Sequence, residues 1–224
     1  MALLSAQDRG VVQTHLAGMT HDVALLFFTQ TIGGPESALI ARQIIDELAE
    51  MSDRVSVEEV NFVIEKDRAQ AFNVEGVPAL VLLRDGEDTR IRFLGAPAGY
   101  EFMSLVEAVA LAGGDDSGLT QESKALIAAH VTEPIDIKVF VTPTCPHCPR
   151  AVTLAHRMAF EHPSIRATCV EATEFIDLSR KYNVTSVPKT VINGAVEIMG
   201  AMPEAELVRL AVVGESGASD SPTK

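Results

Sequence analysis

Two stretches of this chain repeat each other. Residues 72–81 read FNVEGVPALV and residues 182–191 read YNVTSVPKTV, so their Val-Pro pairs lie 110 residues apart. Each stretch continues into an apolar run and a two-residue turn signal, Asp85-Gly86 in the first copy and Asn193-Gly194 in the second. These pairs favour the type I′ turn of a β-hairpin because they accept positive φ angles. The repeat therefore predicts two tandem copies of one fold.

The two copies also share their upstream elements. Apolar runs at residues 24–29 and 137–142 predict buried strands, and each is followed by a long helical pattern. The order in each half is therefore strand, helix, strand, helix, strand, hairpin and helix, which is an α/β arrangement.

The limits of the two halves follow from composition. The glycine, aspartate and serine residues at 113–118 cannot bury apolar area and predict a linker. Thr120 is the expected N-cap of an amphipathic helix, and residues 7–16 form its counterpart in the first half. We expect domains at residues 1–114 and 115–213, followed by a solvated tail at residues 214–224.

Charge and hydropathy exclude several classes of protein. The 224 residues carry a net charge of −13 without a lysine and arginine cluster, which argues against nucleic acid or an anionic membrane as the main partner. No apolar run approaches the roughly 18 residues of a membrane span, and the N-terminus lacks the pattern of a secretion signal. We therefore expect a cytoplasmic protein with no membrane partner.

Two of the three cysteines form a CxxC motif, Cys145-Pro146-His147-Cys148, directly after a predicted strand. Two thiols at this spacing share one face of a helix and can close a reversible disulfide. A strand followed by a turn and a new helix would place the first thiol at the helix N-terminus, where free N–H groups and the helix dipole favour the thiolate. In a reducing compartment the motif indicates redox chemistry or metal binding.

Together, the CxxC motif, Val187-Pro188 beyond it, the hairpin and the repeat resemble the thioredoxin-fold redox proteins, with a spacing close to that of glutaredoxins. Two such domains in one chain resemble the protein disulfide oxidoreductases, also called glutaredoxin-like tandem proteins, over nearly the whole chain. The N-terminal module of the alkyl hydroperoxide reductase flavoprotein is similar. The resemblance implies two thioredoxin-like domains, each with a central mixed four-stranded sheet flanked by helices.

The resemblance implies roles for the residues of the motif. Cys145 would attack a substrate disulfide, and Cys148 would resolve the mixed disulfide and leave a bridge between the two cysteines. Pro146 would restrain the turn. His147 would lower the pKa of the Cys145 thiol through a hydrogen bond or a positive charge.

The second Val-Pro pair would form the other wall of the site. The resemblance implies a cis peptide bond before Pro188, which would turn the Val187 backbone outward beside the thiols, where it could pair with an extended substrate. The alternative is that Val-Pro simply opens a strand.

The first half lacks this chemistry. Residues 32–35 read IGGP where the CxxC motif would stand, although Pro78 remains. We expect this half to be a structural or substrate-docking domain.

Several residues depart from the family pattern or lie near it. Val139 stands where thioredoxins have a buried aspartate, six residues before the first cysteine, so the proton acceptor for Cys148 is unidentified. Glu171 is a candidate, although a carboxylate at a strand end is usually solvated. Lys189 alone suggests the glutathione site of glutaredoxins. Cys169 lies in an apolar strand pattern and is expected to be an inert buried thiol.

We expect an enzyme, a protein disulfide oxidoreductase that reduces, oxidises or isomerises disulfides in protein substrates. No phosphate loop, flavin motif or nicotinamide motif occurs, so we expect no bound cofactor. Electrons would come from a separate reductase, such as thioredoxin reductase, or from a thiol pool.

Two alternatives stay open. The protein could be a dedicated electron donor to a peroxiredoxin, or a non-enzymatic adaptor that binds polypeptides and whose CxxC motif is incidental or metal-loaded. A zinc site would have Cys145, Cys148 and perhaps His147 or His156 as ligands, without a second CxxC motif, and we expect no metal.

Overall fold

The computed structural model describes residues 4–214, so the predicted tail lies outside the described residues except for Gly214. The first half contains α1 (Ala6–Leu16), β1 (Val23–Thr29), α2 (Ser37–Ala49), β2 (Val55–Asn61), α3 (Lys66–Ala71), β3 (Ala79–Arg84), β4 (Glu87–Leu94) and α4 (Glu101–Ala112). The second half contains α5 (Gln121–His130), β5 (Ile135–Val141), α6 (Cys148–Glu161), β6 (Ile165–Glu171), α7 (Ile176–Lys181), β7 (Lys189–Ile192), β8 (Val196–Met199) and α8 (Glu204–Val213). The two halves therefore share one order of elements, as the repeat predicts.

Each half contributes four strands in the same arrangement. β1 pairs with β2 in parallel and with β3 in antiparallel orientation, and β3 pairs with β4 through the hairpin. β5, β6, β7 and β8 repeat this pattern in the second half. The predicted mixed four-stranded sheets are confirmed.

The two sheets are joined edge to edge. β4 of the first half pairs in parallel with β6 of the second, from Ile91 opposite Ala167 to Leu94 opposite Val170. The result is one eight-stranded sheet in the order β2-β1-β3-β4-β6-β5-β7-β8. The sequence does not predict this junction. The pattern of apolar residues along β4 or β6 shows that each is a strand, but it does not show which strand of the other half lies beside it.

Apolar side chains cover both faces of the sheet. On β1, Leu25 and Phe27 enter one core, while Leu26 and Phe28 enter the other, as expected for a strand buried on both faces. The larger core includes side chains from α1, α2, α4, α5, α6 and α8. The smaller core is formed with the segments around α3 and α7. The site described below lies on the side of the larger core.

The predicted turns and caps are present. Asp85 and Asn193, the first residues of the two hairpin turns, have φ angles of 48° and 51°. Thr120 accepts a hydrogen bond from the N–H of Ser123 at 3.2 Å and so caps α5. These local features agree with the sequence because they depend on short-range chemistry alone.

The predicted linker is held against the first half. Asp115 accepts a hydrogen bond from Arg84 at 2.8 Å, and the same carboxylate lies 2.9 Å from the His21 ring. Residues 113–120 thus connect α4 to α5 as an anchored segment. The division of the chain into domains at residue 114 stays a prediction.

Candidate active site

Cys145 and Cys148 are joined by a disulfide, with 5.5 Å between their Cα atoms. The bridge follows the end of β5 and lies against the larger core. Cys148 is fully buried, whereas Cys145 keeps 8% of its surface exposed, and Pro146 and His147 between them are exposed. A partner approaching from solvent therefore meets Cys145 before Cys148.

The helix that carries the motif begins later than the sequence suggested. α6 starts at Cys148, and His147 is its N-cap, so the expectation that Cys145 stands at the helix N-terminus is wrong by one turn. The reason is the turn that precedes the helix, in which the N–H of Cys145 donates to the carbonyl of Thr142 at 3.1 Å. Pro149 lies in the first turn of α6, where its missing N–H costs no helical hydrogen bond.

Both Val-Pro pairs have cis peptide bonds, as the resemblance implies for Pro188. Pro188 is buried, and its carbonyl accepts a hydrogen bond from the N–H of Gly200 at 2.8 Å. Val187 is partly buried and packs against the core cluster that includes both cysteines. The position of the Val187-Pro188 loop as the other wall of the site, and its contact with a substrate, stay predictions.

The first half also contacts the loop that leads to the disulfide. The N–H of Tyr100 donates to the carbonyl of Pro143 at 2.9 Å. Gly99 has a φ angle of +61°, and a Cβ atom there would overlap the backbone of Pro143. The start of α4 is thus fixed against a residue only two positions before Cys145, a contact that the sequence does not reveal.

A buried carboxylate enters the same core from the first half. Glu101, at the start of α4, is only 2% exposed, and its Oε2 atom accepts a hydrogen bond from Ser104 at 2.7 Å. The thiol of Cys169 lies 3.8 Å from the same oxygen. The other oxygen, Oε1, is buried without a hydrogen-bond partner among residues 4–214. Burial raises the pKa of Glu101 to about 7.

Strand register connects Glu101 with the position of the missing aspartate. Cys169 on β6 is the register partner of Val139 on β5, and both belong to the core cluster that contains Cys148. The Glu101 carboxylate on α4 therefore contacts the residue of β6 that lies opposite Val139. The sequence offered one signal that could have found Glu101, since it stands alone among apolar residues in the segment YEFM at 100–103.

The three other residues singled out by sequence serve the fold. Glu171 is buried, not solvated, and its carboxylate accepts hydrogen bonds from the Thr173 hydroxyl at 2.8 Å and from the N–H of Glu174 at 2.6 Å, which closes the turn after β6. Lys189 donates to the carbonyl of Tyr182 at 2.5 Å. Cys169 is buried as expected, and burial together with nearby Glu101 raises the pKa of its thiol well above the ordinary value. Glu171 and Lys189 therefore gain no support as a proton acceptor or a glutathione ligand.

The corresponding region of the first half carries no thiol. Residues 32–35 precede α2 in an exposed turn. The loop before Pro78 packs against the second half, because a Cβ atom on Gly76 would lie 2.9 Å from the ring of Phe175. This contact agrees with a structural role for the loop.

Membrane spans and metal sites are both missing from the described part of the chain. Among the helices within residues 4–214, none has the length and apolar character needed to span a bilayer. Within the same range, no group of three or more His, Cys, Asp and Glu side chains is placed to hold a metal ion. His156, considered as a zinc ligand, is buried with its ring 5.1 Å from that of Phe93. The metal-loaded alternative therefore gains no ligand set from these residues.

The second half matches a known family of domains. Residues 135–212, which include β5 to β8, match the model of the thioredoxin domain family. The AhpF component of alkyl hydroperoxide reductase from Escherichia coli K12 is 25% identical over 208 residues, which are 92% of this chain and 37% of that relative. The chain thus spans little more than a third of the length of this curated relative.

Two solved structures match nearly the whole chain. The NTD_N/C domain of alkyl hydroperoxide reductase AhpF from Enterococcus faecalis superimposes with a TM-score of 0.87 at 28% identity, covering 93% of this chain and 99% of that one. A protein disulfide oxidoreductase from Aeropyrum pernix K1 superimposes with a TM-score of 0.85 at 29% identity, covering 95% and 94%. This chain has the tandem thioredoxin-like architecture of both.

Proposed function

We propose that this tandem thioredoxin-fold protein is a thiol-disulfide oxidoreductase that acts on protein disulfides through Cys145 and Cys148. The observation that carries the proposal is a disulfide between Cys145, which keeps 8% of its surface exposed, and the fully buried Cys148. The likeness over nearly the full chain to a protein disulfide oxidoreductase supports it. The dithiol is the only CxxC pair in the sequence, so the exchange reaction passes through Cys145.

The reaction starts from the reduced dithiol. The Cys145 thiolate attacks one sulfur of the substrate disulfide, which forms a mixed disulfide and releases the other substrate sulfur as a thiolate. Cys148 then loses its proton and attacks the Cys145 sulfur, which forms the Cys145–Cys148 bond and releases the second substrate thiolate. Two electrons pass from the dithiol to the substrate. The reverse sequence oxidises a substrate dithiol.

The neighbouring residues favour the first step. His147 is exposed beside the disulfide, where it can donate a hydrogen bond or a positive charge to the Cys145 thiolate. Pro146 restrains the turn between the cysteines. Val187, which packs against the core cluster that includes both cysteines, would pair with an extended segment of the substrate.

Glu101 is our candidate for the proton acceptor of Cys148. Its Oε1 atom is buried without a hydrogen-bond partner among residues 4–214, its Oε2 atom lies 3.8 Å from the thiol of Cys169, and Cys169 belongs to the core cluster that contains Cys148. Its pKa of about 7 allows it to take up and return a proton near neutral pH. The first half therefore contributes an acid-base group to the dithiol of the second half. This arrangement accounts for Val139 at the position of the thioredoxin aspartate.

After each reaction, the Cys145–Cys148 disulfide must be reduced again by another molecule. We propose a separate reductase, such as thioredoxin reductase, or a thiol pool as the source of the two electrons, and a cytoplasmic location, where such reductants are abundant. We retain the proposed domain limits, with residues 1–114 as the domain that lacks redox cysteines and residues 115–213 as the catalytic domain.

A second candidate function is that of a dedicated electron donor to a peroxiredoxin. The observation that favours it is the similarity to AhpF, which by its name is one part of an alkyl hydroperoxide reductase. In this function the same dithiol would reduce the disulfide of a single partner instead of many substrates.

Reduction of insulin disulfides by dithiothreitol tests the enzyme proposal. We expect the wild type to accelerate the reaction and Cys145→Ser to abolish the acceleration. Equal rates for the two proteins would refute the proposal and favour the polypeptide-binding adaptor. Folding of the variant is checked by circular dichroism.

The partner is found by trapping. Cys148→Ser stalls the mixed disulfide at Cys145, so substrates stay attached and are identified by mass spectrometry after non-reducing electrophoresis. A peroxiredoxin that dominates the trapped set supports the dedicated donor, and a broad set supports the general oxidoreductase. The Cys145→Ser, Cys148→Ser double variant controls for attachment through other thiols.

A further inference from the structure

An apolar pocket of about 250 Å³ opens on the first half close to the disulfide loop. Its walls are mostly apolar, with one carboxylate, and come from the start of the chain, from α2 and from the start of α4: Leu4, Ile40, Ile44, Glu47, Ala98, Gly99 and Phe102. A volume of this size holds one aliphatic or aromatic side chain. The pocket takes no part in the thiol chemistry described above.

The position of the pocket relative to Cys145 is fixed by backbone contacts. Gly99 lines the pocket and also lies against Pro143, so close that no side chain fits between them. The next residue, Tyr100, donates its N–H to the Pro143 carbonyl at 2.9 Å and leaves its ring half exposed. Cys145 follows Pro143 by two residues. One wall of the pocket thus touches the loop that leads to Cys145.

The rim of the pocket exposes apolar surface that the fold does not use. Ile40 lines the pocket and keeps 48% of its surface exposed, and its neighbour Leu39 on α2 is still more exposed. Single exposed apolar residues are common on proteins. Here, however, they border a concave apolar site close to the Cys145–Cys148 disulfide, which in the proposed function reacts with a polypeptide substrate. The charge of this half is also one-sided, since residues 1–112 hold 8 basic and 17 acidic side chains.

We propose that this pocket binds an apolar side chain of the disulfide-bearing substrate polypeptide, on a segment with basic flanking residues, while its disulfide reacts at Cys145. This inference rests on the proposed oxidoreductase function and assigns the cysteine-less half a direct part in substrate selection. The apolar walls supply binding energy through burial, and the excess of acidic over basic side chains in residues 1–112 favours cationic flanks. The pocket acts only on substrates long enough to reach it.

A set of synthetic peptides tests the proposal. Each peptide carries one intramolecular disulfide on a lysine-containing background, with one leucine placed from two to eight residues beyond the second cysteine, and a reference peptide has serine instead. We expect leucine to lower KM for the wild type about tenfold at one or more spacings, the equivalent of about 1.4 kcal/mol. The substitution Ile40→Asp should remove this advantage.

Two controls separate the pocket from the dithiol. Val63→Asp replaces an apolar residue of similar exposure, 51%, in the same half but outside the pocket, and should keep the leucine advantage. Hydroxyethyl disulfide is too small to reach the pocket, so its reduction should be equal for the wild type and Ile40→Asp. Thermal unfolding confirms that both variants are folded.

Each other outcome has a distinct meaning. A wild type that reduces neither peptides nor hydroxyethyl disulfide refutes the oxidoreductase function itself. A wild type that reduces both but shows no leucine advantage at any spacing, or an advantage that survives Ile40→Asp, overturns the pocket proposal alone. An equal loss of hydroxyethyl disulfide reduction in Ile40→Asp also overturns it, because the substitution then acts on the dithiol. Conversion of a dimer to a monomer by Ile40→Asp in sedimentation would identify a second copy of the chain as the occupant and overturn it too.

Discussion

Replacement of Glu101 by glutamine should change how the stability of the protein depends on pH. The carboxyl group is buried in the core between the two halves, and burial raises its pKa from an ordinary value of 4.5 to about 7. The unfolded chain therefore releases this proton at a lower pH than the folded chain does. Between pH 4.5 and 7 the ionised form favours the unfolded state, so this group makes the wild type less stable as the pH rises.

The size of the effect follows from the change in pKa. Each pKa unit corresponds to about 1.36 kcal/mol, so the rise from 4.5 to about 7 amounts to about 3 kcal/mol of stability lost above pH 7. Glutamine has nearly the same shape and does not ionise. The free energy of unfolding of Glu101→Gln, relative to that of the wild type, should therefore increase by about 3 kcal/mol between pH 4.5 and pH 8.

Urea unfolding at half-unit pH steps, with the disulfide oxidised throughout, measures this difference. Glu122→Gln, which replaces an exposed carboxylate on α5, is the control and should follow the wild type at every pH. If the curves of Glu101→Gln and the wild type run parallel across the range, Glu101 does not carry a raised pKa in the folded state. The assignment of Glu101 as the proton acceptor would then lose its physical basis.

Three further changes have defined outcomes. In stopped-flow reduction of insulin at pH 7, Glu101→Gln should lower the rate at which Cys148 resolves the mixed disulfide by at least tenfold. A rate equal to that of the wild type across pH 6–9 would contradict the proposed proton transfer. Burial lowers the pKa of His156 to about 3, so protonation of this ring favours the unfolded state in acid. The free energy of unfolding of the wild type should therefore fall by up to about 5 kcal/mol between pH 6.5 and pH 3. That of His156→Phe should fall correspondingly less, as measured by acid unfolding monitored by circular dichroism. Leu105→Ala, at a fully buried position of α4, should cost about 2–5 kcal/mol in urea unfolding, and a cost below about 1 kcal/mol would show that the core between the halves is not tightly packed.

Local chemistry in the sequence predicts most of the architecture. The turn residues at Asp85 and Asn193 need positive φ angles, and Thr120 caps a helix with its own hydroxyl, so these features appear where short-range rules place them. The repeat predicts two copies of one fold, and the resemblance to thioredoxin-fold proteins implies a mixed four-stranded sheet in each. The dithiol follows from the spacing of Cys145 and Cys148.

Most of the features that sequence reasoning missed depend on contacts between distant segments, and the start of α6 is the exception. The pairing of β4 with β6 and the contact of Tyr100 with Pro143 bring together strands and loops of different halves. The apolar residues around Glu101 suggest that it is buried, but its contact with Cys169 of the second half is visible only in the structure. The sequence predicts the start of α6 at Cys145, whereas the helix starts at Cys148 because a hydrogen-bonded turn holds Cys145 before it.

The junction of β4 with β6 has a consequence for each half on its own. Residues 115–213 without the first half would present the edge of β6, with a row of unpaired N–H and C=O groups along buried residues such as Ala167 and Cys169. Such an edge is a template for pairing with other chains and for aggregation. The first half therefore covers an edge of the second half even though it carries no redox cysteines, and we expect residues 115–213 alone to be prone to aggregation.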